Sequence, residues 1–94
     1  MTKKFEKVSV EKGTQIIFQT EAELGEYEVL YQKWHWDGVT AESIIFSSED
    51  ISNLIDNEIE AEVRESPLVK EGTSMTVKRS ESGFTYVNFN FETE

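Results

Sequence analysis

Residues Glu26–Phe46 read EYEVLYQKWHWDGVTAESIIF, and the fold is decided here. Aromatic and β-branched side chains dominate on both sides of Asp37-Gly38, the dipeptide that best tolerates the positive φ angles of a two-residue hairpin turn. Alternation sends Tyr27, Val29, Tyr31, Lys33 and His35 to one face of the first strand and Leu30, Trp34 and Trp36 to the other. A returning strand is expected over Thr40 to Phe46. Both faces of this hairpin carry bulky groups, so each needs a covering layer.

Downstream, Ser47 and Ser48 suit a helix N-cap, since a hydroxyl accepts from the unpaired N–H groups of a first turn, and Glu49 and Asp50 suit the positive end of the dipole. Ile51, Leu54, Ile55, Ile59 and Val63 then recur at helical spacing and line one side. Ser66 precedes Pro67, which disfavours helical geometry before it, so the helix should stop near Glu65. Ser74 to Arg79 and Thr85 to Glu92 read as a second hairpin across Ser80-Glu81-Ser82-Gly83. In its last strand Val87, Phe89 and Phe91 are expected to point one way and Tyr86, Asn88 and Asn90 the other.

Upstream, Ile16 and Phe18 alternate with Gln15 and Ile17, and Lys12-Gly13 separates them from Val8 and Val10, which reads as a further hairpin. Thr20 to Gly25 lacks a clean period and is expected to be a loop. The fold class that follows is α+β: an antiparallel sheet of about six strands, in the order β-β-β-β-α-β-β, packed against one amphipathic helix. If Val29, Tyr31 and Phe18 lie under that helix, Trp34 and Trp36 are left on the uncovered face. Either curvature into a partial barrel or a homodimer through that face would cover them.

A chain of 94 residues, 37% apolar and 12% aromatic, suits one core, so residues 1–94 are read as a single acidic domain. There is no cysteine, which removes disulfides, thiolate metal sites and a cysteine nucleophile. Lys3, Lys4 and Phe5 run straight into Glu6 and Lys7 without an apolar core, so a secretory signal is not expected. The runs Val29-Leu30-Tyr31 and Ile44-Ile45-Phe46 are too short to cross a bilayer. A cytoplasmic location without membrane association is the expectation.

Charge is the most unusual global feature. Nineteen acidic and nine basic side chains give a formal net charge of −10, and residues 21–65 hold 13 acids against Lys33 and Arg64. Such a field repels duplex nucleic acid and draws basic partners. Asp56, Glu58, Glu60, Glu62 and Glu65 gather on the helix and are the expected contacts, joined by the aromatic pair Trp34 and Trp36. Solubilisation alone is the plainer reading of the same charge.

Catalytic signals are few. His35 is the single histidine, which excludes a multi-histidine metal site, and no strand-to-helix elbow presents a serine to it. Five scattered glycines form no phosphate loop. Glu58, Glu62 and Glu65 share a helix side, yet no EF-hand spacing accompanies them, and a charge run opposite an apolar stripe reads as a solvated face. No enzyme activity, cofactor or metal is expected. Instead, the expectation is an acidic protein that binds a basic protein surface, in its sharper form a nucleic-acid mimic whose carboxylates replace phosphates, as in small inhibitors from mobile elements. An alternative uses Tyr27, Tyr31, Lys33 and His35 to stack single-stranded bases.

Gln32-Lys33-Trp34-His35-Trp36, the strand Ser43-Ile44-Ile45-Phe46 and the start Ser47-Ser48-Glu49-Asp50-Ile51 together resemble single-stranded-DNA-binding transcriptional coactivators over residues 5–63. That resemblance implies four antiparallel strands followed by a helix, dimerisation through the helix, and nucleic-acid contacts on basic, aromatic strands. It departs at Asp37 to Glu42, where the basic loop of that family has no lysine or arginine counterpart, and in its additional last hairpin.

Overall fold

A computed structural model describes Phe5, Val8 and residues 12–93. Five antiparallel strands and one helix follow in the order β1 (Gln15–Leu24), β2 (Tyr27–Trp36), β3 (Val39–Ser47), α1 (Asp56–Arg64), β4 (Thr76–Arg79) and β5 (Phe84–Thr93). The spatial order is β1-β2-β3-β5-β4. β1 and β4 end the sheet on opposite sides without pairing, so it stays open. This corrects the expected six strands and partial barrel.

The central hairpin forms as its sequence dictates. Asp37 and Gly38 both take positive φ (49° and 78°), which matches the right-handed twist of the flanking strands. The other differences have local causes. Val8 belongs to no strand, and Val10, the other half of the expected first strand, lies outside the described residues. β1 instead continues through Thr20 to Leu24, because Ala22 and Leu24 alternate into the core while Glu21 and Glu23 face away. The turn is Gly25-Glu26, with Gly25 at φ 60°.

The helix is also shorter than its apolar stripe. Ser48 is tied to the β4–β5 hairpin, its N–H donating to the Gly83 carbonyl (3.0 Å) and its hydroxyl meeting Thr85 Oγ1 (2.8 Å). Neither Ser47, still in β3, nor Ser48 is therefore a helix cap. Residues 48–53 are turns in which Ile51 is pressed into the core, and α1 begins only after Ile55. Ile55 is the extended N-cap residue, so its side chain leaves the stripe and stands 63% exposed. Glu58 Oε1 accepts the Ile55 N–H (3.1 Å) in place of a hydroxyl cap. The helix ends at Arg64, as Pro67 requires.

The main core lies between helix and sheet, where Ile59 and Val63 meet Val29, Ile44, Phe46, Val87 and Phe89. Each such side chain contributes about 1.5–3 kcal/mol by leaving water. A smaller cluster, Leu30, Ile45 and Phe84, sits on the far face beneath Phe5, whose ring centroid is 5.9 Å from that of Phe84. At Asn90 the end of β5 departs from simple alternation. There the β3–β5 register shifts and Asn90 takes φ 54°. Its side chain turns to the helix layer, and Phe91, expected beside Phe89, moves to the far face.

Candidate functional site

Five carboxylates were expected on the helix, and the structure divides them. Asp56 forms an ion pair with Arg79 of β4 at 2.6 Å. Glu58 closes the first turn through the Ile55 N–H. Glu60, Glu62 and Glu65 have no ion pair or hydrogen-bond partner for their side chains among the described residues. Glu62 lies beside the β1–β2 turn, its Oε2 3.8 Å from where a Cβ on Gly25 would stand, which leaves glycine the freedom its φ already requires. The same end of the sheet carries exposed Glu26, while Glu23 and Glu28, opposite each other in the β1–β2 register, alternate to the face away from the helix. Among the described residues, no group of three or more Asp, Glu or His side chains is placed to hold a metal ion.

Trp34 and Trp36 do not join these carboxylates. They lie on the opposite layer, so the seven expected contacts form two surfaces instead of one. Tyr27, Tyr31, Lys33 and His35 do share the helix-side face. Tyr27 meets Phe46 edge-on at 5.8 Å, and Tyr31 is buried and donates to Glu42 Oε1 at 2.5 Å. Burial first, then the Glu42 carboxylate, push the Tyr31 phenol well above its ordinary value. Lys33 is exposed, and His35 Nδ1 lies 3.0 Å from Thr40 Oγ1.

The far face holds a feature the alternation did not reveal. Gln19, Gln32, Ser43, Asn88 and Thr76 are successive register partners and make a polar row straight across the sheet. Gln32 Nε2 donates to Gln19 Oε1 (2.7 Å). The indole N–H of Trp34 has only a donor, so Ser43 Oγ accepts from it (2.7 Å) and in turn donates to Asn88 Oδ1 (2.5 Å). That chain fixes the Asn88 amide with its NH2 turned away from Ser43. Above the row lies a cavity of about 530 Å³, walled by Trp34, Trp36, Ile16, Tyr86 and Phe91. Among the described residues its lining includes no Asp or Glu, while Lys78 and Arg79 contribute to it.

Sequence reasoning missed Gln32, Ser43 and Asn88 because their register across three strands is not written in any one strand. The available signal was a polar residue interrupting the alternate-residue stripes Leu30-Gln32-Trp34 and Ala41-Ser43-Ile45. Comparison with protein-family models, curated proteins and solved structures finds no match for this chain.

Proposed function

We propose that this is a non-enzymatic binding protein that presents an acidic surface to a basic protein partner. The observation that carries this reading is the state of Glu60, Glu62 and Glu65, which lack ion pairs among the described residues, with Glu62 beside the Gly25-Glu26 turn. Of these, Glu62 and Glu65 stand at the helix C-terminus, where an unneutralised carboxylate opposes the dipole at about 0.3–1 kcal/mol, and a cationic partner would relieve that cost. In its sharper form the carboxylates stand in for phosphates and occupy the cleft of a nucleic-acid-binding protein. The surface is then formed by the helix and the β1–β2 turn together, with Asp56 excluded by its pairing to Arg79.

Affinity for a panel of basic DNA- and RNA-binding proteins, measured from about 50 to 300 mM salt with duplex DNA as competitor, tests this. Expected are a steep loss of affinity with salt and competition by the duplex. Affinity indifferent to salt would remove the reading. The single-strand alternative on Tyr27, Tyr31, Lys33 and His35 has less support, because both tyrosine rings are engaged in packing.

A further inference from the structure

We infer that the cavity on the far face is a binding site for one small planar heteroaromatic molecule that carries carbonyl and N–H groups on its edge and at most one negative charge. This goes beyond the acidic surface, lies on the other layer, and stands or falls separately.

Three independent features converge on it. First, its floor contains buried amides with unused capacity. Gln32 and Asn88 are 6% and 8% exposed. The donors of Gln32 reach Gln19 and the oxygen of Asn88 is held by Ser43, so Gln32 Oε1 and Asn88 Nδ2 have no partner among the described residues. Neither is sealed off, since no fully inaccessible side-chain polar atom lacks a partner. A buried amide costs stability unless paired, and here an acceptor and a donor pair open into the same cavity.

Second, the walls are flat and apolar. Trp34, Trp36 and Phe91 flank the polar row, and Phe91 reaches this face only through the register shift at Asn90. Another shift, between Ile16 and Phe18, leaves Ile16 on the cavity while Phe18 joins the helix layer against Tyr31. Bulges that re-aim side chains cluster around binding sites. Third, the charge is inverted. Among the described residues no Asp or Glu lines the cavity, and Lys78 of β4 does, whereas Arg79 is held by Asp56.

The occupant follows from these features. Rings stack on indoles, edge groups pair with the amides, and a single anionic substituent is matched by one lysine. A cavity of about 530 Å³ is the size that takes one compact organic molecule. A polyanionic strand is disfavoured by the net charge of −10.

Trp34 and Trp36 are the two tryptophans of the chain, so intrinsic fluorescence reports this cavity directly. The probes are xanthine, lumazine, trimethylated xanthine, naphthalene and a short oligothymidylate, each titrated against the full chain. Saturable quenching by xanthine or lumazine below about 1 mM is expected, with binding about tenfold weaker for the trimethylated and apolar rings. Phe91→Ala removes an exposed wall and should weaken that binding about tenfold without moving the unfolding midpoint. Gln32→Met keeps the shape, removes the acceptor and should weaken the fused heterocycles towards the level of naphthalene. If Gln32→Met fails to fold, Phe91→Ala decides alone. Equal quenching by naphthalene, saturation by the oligonucleotide alone, or no saturable change with any probe would each overturn the proposal.

Discussion

Asn90 joins three segments of the fold. Its positive φ makes the bulge, its Oδ1 accepts from the Lys70 N–H (2.9 Å), and its Nδ2 donates to the Leu68 carbonyl (2.7 Å) and to Glu42 Oε2 (3.0 Å). It therefore pins the segment after the helix to the sheet and sends Phe91 to the far face. Asn90→Ala loses these bonds and the asparagine side chain that makes left-handed φ tolerable for a residue with a Cβ, for an expected cost of about 2–4 kcal/mol in urea unfolding. Asn90→Gly should recover about 1 kcal/mol of that, because it restores the backbone freedom alone. Equal stability of the two variants would show that the backbone angle is not under strain.

Tyr31 gives a pH dependence with a definite sign. Its phenol is held above the ordinary value of 10.0 by burial and by the bond to Glu42, so the folded state retains a proton that the unfolded chain releases. This contribution is fully present below about pH 10 and is lost as pH climbs beyond it. Urea midpoints measured between about pH 8 and 11 should fall more steeply for the wild type than for Tyr31→Phe. Parallel curves would contradict a role for that proton.

Among the elements, the helix shows best how far sequence reaches. Ile55 and Ile59 belong to the same apolar stripe by spacing, but Ile55 is the extended residue before the first turn and Ile59 is 1% exposed in the core. Ile59→Ala should cost about 2–4 kcal/mol, and Ile55→Ala no more than about 0.5 kcal/mol, in the same denaturant assay. Comparable losses would place Ile55 in the core after all.

The central hairpin was legible because Asp37-Gly38 states its own turn, and the sidedness of β2 followed from alternation alone. The late start of α1 was not legible, since the partners that hold Ser48, Gly83 and Thr85, come from a hairpin about 35 residues downstream. The continuation of β1 was obscured because Ala22 is a weak apolar signal and Glu21 and Glu23 mask its period. The polar row of the far face depends on register across Gln32, Ser43 and Asn88, and the shift at Asn90 is a tertiary property of β3 and β5.

At the scale of the whole molecule, two layers carry different surfaces. The helix layer carries Glu60, Glu62 and Glu65, while on the far face Glu21, Glu23 and Glu28 alternate outward near the β1–β2 turn, and no Asp or Glu among the described residues lines the aromatic cavity. Among the described residues, no helix is long and apolar enough to cross a membrane. Self-repulsion among like charges means that added salt should stabilise this fold, raising the urea midpoint between about 10 and 300 mM sodium chloride. A lowered midpoint would indicate that attractive pairs dominate its electrostatics.

The most direct measurement compares two sets of neutralised carboxylates against one basic nucleic-acid-binding protein identified by the salt series. The triple variant Glu60→Gln, Glu62→Gln, Glu65→Gln removes helix charges that have no local partner, and Asp56→Asn removes one already tied to Arg79. Calorimetric titration at low salt should show the triple variant weakened at least about tenfold and Asp56→Asn nearly unchanged. Binding by the triple variant at full strength would contradict the assignment of this surface to a cationic partner.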